Sequence, residues 1–154
     1  MRLIFLAILL LSGCASASLT VDRPLAAPLR EVSLRIEGSD KVNEEQQAHL
    51  CTLLTSSLSK TGVAVRPEDS RGITLAGRIE RYSPGNQSLR WLFGLFGAGG
   101  GAIESTWRVV DSAGKEIGSC RVDGSIHMGP GGGYFDVVLG KVGQRLGEFL
   151  SGSK

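Results

Sequence analysis

Cys14 is the residue whose type and position most clearly indicate a chemical reaction in this chain of 154 residues. A positive residue, Arg2, is followed by nine apolar residues, Leu3 to Leu11, and small residues then precede the cysteine. This order is that of a secretory signal peptide. The apolar run is too short to cross a bilayer, which takes about 20 residues. The sequence therefore predicts export, with a thiol that can accept a lipid directly after the apolar run.

The run Leu11-Ser12-Gly13-Cys14 resembles the lipobox of bacterial lipoproteins. The resemblance implies a diacylglyceryl group on the Cys14 sulfur, cleavage before Cys14, and fatty acylation, for example with palmitate, of the new N-terminus. Two or three acyl chains would anchor the protein stably. Ala15 stands where an aspartate commonly retains lipoproteins at the inner membrane, which resembles sorting to the outer membrane. The alternative is an ordinary signal peptide cleaved at Ala-Ser-Ala, residues 15–17.

Charge and composition limit the partners and the number of domains that the rest of the chain can have. Loss of Arg2 with the signal at residues 1–13 leaves one more basic residue than the 15 acidic ones, so the mature charge is close to zero. Such a balance argues against nucleic acid as a partner. Residues 14–29 combine small residues with Pro24 and Pro28, which predicts a lipidated, flexible tether. Residues 30–151 are long enough for one domain.

Two further cysteines, Cys51 and Cys120, remain after Cys14. The periplasm is an oxidising compartment, so a disulfide between them is permitted. Cys51 borders the apolar stripe of a predicted helix, and Cys120 alternates with Val122 on a predicted core face. Two buried free thiols therefore explain the same residues, and both alternatives stay open.

Glycine-rich segments at residues 94–101 and 129–133 flank two predicted strands. The turn that joins these strands lies at one end, so the two segments must meet at the other end, where a helix also begins. Helix N-termini attract anions. This predicts contact with a carboxylate, a phosphate or a partner backbone through Arg90, Gly99, Gly100, Gly131 and Gly132. The alternative is that the glycines only permit positive φ in two tight loops.

The stretch Trp91 to Phe96 is the most apolar outside the signal. If it is exposed, it forms a loop that touches a membrane or a partner. If it is buried, it continues the sheet.

No residues have the spacing of a metal site or of a catalytic group. His49 and His127 belong to no spaced ligand set such as His-x-x-x-His. The sequence shows no serine nucleophile elbow, no paired catalytic carboxylates and no histidine-backed catalytic cysteine. We therefore expect no metal, no cofactor and no enzymatic activity.

The elements that must position these residues follow from hydrophobic periodicity. Alternation predicts strands at 31–37, 63–65 and 73–82, and a hairpin whose strands flank a turn at 111–114. Helical spacing predicts a helix that begins at Asn43 and ends at Gly62, and a second one over residues 135–150. This order predicts an α+β fold, with both helices on one face of a mainly antiparallel sheet.

Several blocks of residues 30–150 resemble a bacterial lipoprotein family catalogued as domain of unknown function 4410. The more specific block is Gly77-Arg78-Ile79-Glu80-Arg81-Tyr82-Ser83-Pro84-Gly85-Asn86, followed by Arg90 and the glycines to Gly101. The family has no established activity, so the resemblance implies a fold and a location but no mechanism. Together these features predict a lipoprotein anchored at the periplasmic face of the outer membrane. Its domain is expected to serve interaction or envelope assembly with a protein partner; the alternative is a domain that binds a small ligand or an anion.

Overall fold

The computed structural model describes residues 15–37, 40–67, 72–86, 100–126 and 134–152. These residues form six strands and two helices. In chain order the elements are β1 (Ala15–Arg23), β2 (Glu31–Ile36), α1 (Glu44–Lys60), β3 (Ala64–Arg66), β4 (Thr74–Ser83), β5 (Gly101–Val110), β6 (Glu116–Ile126) and α2 (Phe135–Ser151). The predicted α+β class is confirmed.

All six strands form one mixed sheet in the order β1-β6-β5-β4-β2-β3. The pairings of β1 with β6, β6 with β5 and β5 with β4 are antiparallel, whereas β2 is parallel to both β4 and β3. The prediction of a mainly antiparallel sheet therefore needs correction. The parallel part arises because α1 carries the chain from β2 back to the starting end of the sheet, where β3 begins in the same direction.

Residues 15–29, predicted as a flexible tether, are part of the folded domain. Ala15 to Arg23 form the edge strand β1, which pairs with β6 from Ala15↔Ile126 onward. The connection to β2 is also held, because the backbone N–H of Leu29 donates to the carbonyl of Leu150 at 2.7 Å. The domain therefore begins one residue after Cys14.

Local signals set the ends of both helices. The Asn43 side chain accepts a hydrogen bond from the Gln46 backbone N–H at 2.8 Å, and the Gln46 side chain accepts one from the Asn43 N–H at 3.0 Å. This reciprocal capping box fixes the start of α1. After the helices, Gly62 and Gly152 take φ values of +81° and +67°, which only glycine adopts without strain.

The two helices pack side by side on one face of the sheet. Buried positions alternate along β5 and β6, and their side chains form one core with both helices. A Cβ at Gly124 would lie 2.6 Å from Val138 Cγ1, so the missing side chain lets α2 approach β6 closely. Trp107 lies fully buried in this core, and its Nε1–H donates to Ser105 Oγ at 2.8 Å.

Candidate functional site

Most of the residues predicted for a ligand site lie outside the described residues. These are Arg90, Gly99, Gly131 and Gly132, and the same holds for Cys14, His127 and the apolar stretch at 91–96. Gly100 is described and is exposed, and a Cβ there would lie 3.3 Å from the Ile126 carbonyl oxygen. The next residue, Gly101, pairs with Ile126, so the described flanks of the two glycine-rich segments meet at one end of the sheet.

The first turn of α2 already carries a negative charge. Its N-cap, Tyr134, makes no side-chain capping bond, but Asp136 lies in the first turn. The Asp136 carboxylate lies 2.9 Å from Nε2 of His49 on α1. Burial first, and then the charge of Asp136, raise the pKa of the nearby Tyr82 hydroxyl. An anion at this helix end would meet the Asp136 carboxylate, which weakens the case for anion binding there.

Cys51 and Cys120 are both free thiols in the structure. No Cα of α1, which carries Cys51, lies within 8 Å of a Cα of β6, which carries Cys120. A disulfide needs Cα atoms closer than about 7 Å. Burial raises the pKa of Cys51, and burial with a smaller effect of Asp22 raises that of Cys120 to about 12. Of the two alternatives left by the sequence, the structure therefore favours free thiols.

The sheet face opposite the helices is polar and lined with ion pairs. Arg108 lies 2.7 Å from Glu37, and Arg81 lies 3.2 Å from Glu104. A shallow depression of about 670 Å³ crosses β1, β6 and β5 on this face, and Arg121 and Asp123 both line it. Because positive and negative side chains alternate, this face offers no single charge sign that would attract an ionic ligand.

An apolar depression lies beside the edge strand, between β1, the β1–β2 connection and the end of α2. We call it the β1 groove; its main lining residues are Leu19, Val21, Leu25, Pro28 and Phe149. Its volume is about 630 Å³, within the range of about 300–1,000 Å³ that ligand pockets occupy. Val21 is 46% exposed within it. The sequence did not predict this groove, because its lining comes from two segments, residues 19–28 and 145–152, that lie more than 100 residues apart in the chain.

The free edge of β1 runs along the same groove. The Ala17 carbonyl accepts a hydrogen bond from Nε of Arg145 at 3.1 Å, so this carbonyl points away from β6. In an antiparallel ladder every second residue points its N–H and C=O to the same side. Leu19 and Val21 therefore direct their backbone groups outward, next to the groove, and no strand among the described residues pairs with them on that side.

A second exposed surface lies on α2. Tyr134 at the N-cap is 68% exposed and Val137 is 49% exposed. Lys141 continues the same side of the helix one turn later, where it lines a small cavity together with Ala15. We call Tyr134, Val137 and Lys141 the α2 stripe.

The described part of the chain holds neither a membrane-spanning helix nor a cluster of metal-binding side chains. None of its helices combines the length and apolar character needed to cross a membrane. Its His, Cys, Asp and Glu side chains form no group of three or more that could hold a metal ion.

The solved structures with a similar architecture include a PelC dodecamer from Paraburkholderia phytofirmans and a point variant of it. Both are 14% identical to this chain and cover 90% of it. The match covers 98% of the chain of the variant, with a TM-score of 0.55. It covers 99% of the chain of the other structure, with a TM-score of 0.54. This likeness shows a common fold alone.

Comparison of sequences identifies the family. None of the curated proteins matches this chain. In contrast, the model of the family described as "Domain of unknown function (DUF4410)" matches residues 29–130, from just before β2 to just after β6. Because the match spans more than half of the chain, the chain belongs to the DUF4410 family.

Proposed function

We propose that this chain is a lipoprotein, anchored through Cys14 at the periplasmic face of the outer membrane, whose domain assembles with further copies of itself and performs no catalysis. The observation that carries the proposal is the β1 groove, an exposed apolar surface directly beside a strand edge that pairs with no other strand of the described residues. Concave, mostly apolar surfaces are the ones that binding sites prefer.

The groove and the edge together suit the addition of a strand. A segment that pairs with the outward backbone groups of Leu19 and Val21 would place every second side chain over the groove. In this mode of recognition the main-chain bonds give affinity, and the groove selects apolar side chains. The strand itself carries no charged residue from Ala15 to Val21, and the charged side chain on this edge is that of Arg145, which bonds to the Ala17 carbonyl.

The two edges of the sheet support assembly with a second copy. β1 and β3 lie on opposite flanks. The pairings along the sheet make β3 antiparallel to β1, so the β3 edge of a neighbour in the same orientation has the direction needed to pair with β1. A contact between two different patches of identical subunits closes into a ring when the rotation permits. The similar PelC structures, which are dodecamers, support this mode of assembly.

Anchoring of all copies in one membrane favours this head-to-tail contact over a two-fold one. An antiparallel pair of two β1 strands would place the two Ala15 residues at opposite ends of the joined sheet. Because Cys14 directly precedes Ala15, the two lipids could not then enter the same leaflet.

The mass of the full lipidated protein in mild detergent tests assembly. We expect the wild type to form an oligomer of several copies, measured by light scattering or native mass spectrometry. Val21→Asp places a charge in the β1 groove and should shift the protein to monomer. Val137→Asp is the matched control, because Val137 is nearly as exposed, at 49% against 46%, but lies outside the groove. A monomeric wild type, or an unchanged mass for Val21→Asp, would contradict the proposal.

The anchor is tested by Cys14→Ser. We expect the wild type to incorporate labelled palmitate and to fractionate with the outer membrane, and the variant to do neither. If the variant still partitions with membranes, the lipid anchor is wrong.

A further inference from the structure

We infer that the α2 stripe rests on the surface of the phospholipid bilayer that holds the anchor. This inference rests on the proposed lipid at Cys14 and adds to it an orientation: the first turns of α2 face the membrane, and the β5–β6 turn points away from it.

The stripe and the anchor lie at the same end of the sheet. Ala15 pairs with Ile126, and Ile126 pairs on its other side with Gly101. A Cβ at Gly101 would lie 2.8 Å from the Phe135 ring, so the first residue of α2 stands over this end. Neighbouring strands are about 4.8 Å apart, which places the start of α2 on the order of 10 Å from Ala15 across the sheet.

No spacer separates the lipid from this surface. Cys14 precedes Ala15, and Ala15 is already a paired strand residue. Ala15, Lys141 and Gln144 line a common cavity of about 220 Å³. A lipid attached to Cys14 would therefore extend from the protein surface beside Lys141. The bilayer that receives this lipid must then lie close to the α2 stripe.

The chemistry of the stripe suits a membrane interface. Its members are spaced i, i+3 and i+7, so they share one side of the helix. Tyrosine is enriched at the level of lipid headgroups, and lysine presents an ammonium to their phosphates while its stem lies along apolar surface. Among the described residues, three large apolar side chains are exposed; Tyr134 and Val137 are two of them, and the third, Val21, lies in the β1 groove.

One acid lies beside the stripe at the helix N-terminus, so the positive charge offered to lipid phosphates is that of Lys141, farther along the helix. This acid, Asp136, lies in the first turn, but its carboxylate is 2.9 Å from His49 on α1. Its charge is therefore directed toward the neighbouring helix.

An environment-sensitive fluorophore on an introduced cysteine tests the orientation. The background is the full lipidated protein with Cys51→Ala, in which Cys14 is occupied by lipid and Cys120 is buried. Val137→Cys receives the label in the stripe. Ala113→Cys receives it in the exposed β5–β6 turn, about 30 Å from the anchored end for a strand of ten residues.

Each protein is reconstituted into phosphatidylethanolamine–phosphatidylglycerol vesicles and isolated by flotation. We expect a blue shift of the label at 137 and its quenching by brominated lipids, with neither effect at 113. A protein that floats while its label at 137 is unquenched overturns the inference but leaves the anchor intact. A blue shift at 137 without quenching means that another protein copy covers the stripe and also overturns it.

Failure to float contradicts the anchor, and with it both proposals. Val21→Asp serves as the second control, because it should abolish assembly without changing the quenching at 137. If it removes the quenching as well, the stripe reaches the membrane only through assembly, and the inference for the single domain is wrong.

Discussion

The contact between α1 and α2 makes a sharp prediction, because these helices hold both proposed surfaces in place. A Cβ added at Gly143 of α2 would lie 2.5 Å from the Cβ of Ser57 on α1. A Cβ added at Gly140, one turn earlier, would come no nearer than 3.9 Å to the Ser57 Oγ, which is an ordinary contact. The same substitution to alanine should therefore have opposite effects at the two positions.

The magnitudes follow from two opposing contributions. Replacing glycine by alanine inside a helix raises the free energy of unfolding by about 0.5–1 kcal/mol, and Gly140→Ala should show this gain. Overpacking costs about 1–3 kcal/mol. The new Cβ at position 143 would overlap the Cβ of Ser57, which can move only together with its backbone. The helix gain is common to both variants, so they should differ by the overpacking cost, about 1–3 kcal/mol, and Gly143→Ala should lose up to about 2 kcal/mol net.

Urea unfolding followed by circular dichroism measures this difference. The protein concentration must be fixed, because assembly makes apparent stability depend on it. Ser57→Gly removes the opposing Cβ, so the combination with Gly143→Ala should recover about 1–3 kcal/mol relative to the sum of the single changes. If Gly143→Ala stabilises the protein as much as Gly140→Ala does, the helices do not approach at Ser57, and the placement of α2 is wrong.

Three further predictions concern the sheet and its thiols. A Cβ at Gly77 would overlap the buried ring of Trp107, so Gly77→Ala should cost about 3 kcal/mol in the same urea assay; a wild-type midpoint would refute this. The pKa of Cys120 is raised from its ordinary value of 9.0 to about 12, so the thiol should resist Ellman's reagent at pH 8 in the folded protein. The stability that depends on its protonation is present below pH 9 and lost as the pH rises toward 12, and Cys120→Ala should flatten that decline. Asp111 accepts two backbone hydrogen bonds, each of 2.9 Å, in the β5–β6 turn, so Asp111→Ala should lower the free energy of unfolding by about 1–2 kcal/mol and Asp111→Asn by less.

The helices and the hairpin could be predicted because their side chains differ strongly in polarity along the chain. Leu50, Leu54 and Leu58 repeat at helical spacing and are fully buried in α1. The alternation around Trp107 and Val122 likewise matches the buried face of the β5–β6 hairpin. The periodicity of a segment indicates which side of the helix or strand is apolar. In α1, β5 and β6 this apolar side is the buried one.

β1 escaped prediction because its alternation is weak. Ala15, Ala17 and Leu19 alternate with serines, and alanine and serine differ little in size and hydrophobicity. The strand is stabilised by its pairing with β6, more than 100 residues later in the chain, and no local pattern reports such a partner. For the same reason the parallel pairing of β2 with β4 could not be predicted, since adjacent strands in the sheet are not adjacent in sequence.

The two proposed surfaces left different traces in the sequence. Val137 is an apolar residue that lies out of phase with the buried residues of α2. Helical spacing alone therefore places its side chain on the exposed side of the helix. The β1 groove left no such trace, because Leu19, Leu25 and Phe149 are each ordinary apolar residues in their own segments. Only the fold brings them together.

If Cys14 carries the proposed lipid, the strand that follows it makes the proposed anchoring and assembly depend on each other. A flexible tether, as the sequence predicted, would let each domain turn freely on its lipid, so that contacts with the membrane and with neighbouring copies would be independent. A lipid attached one residue before a paired strand instead sets one end of the sheet against the bilayer. Every copy then has the same orientation, with the α2 stripe at the membrane and the free edge of β1 rising away from it toward the β1 groove. Contacts between copies are thereby restricted to rotations about the membrane normal, which is the condition for a ring.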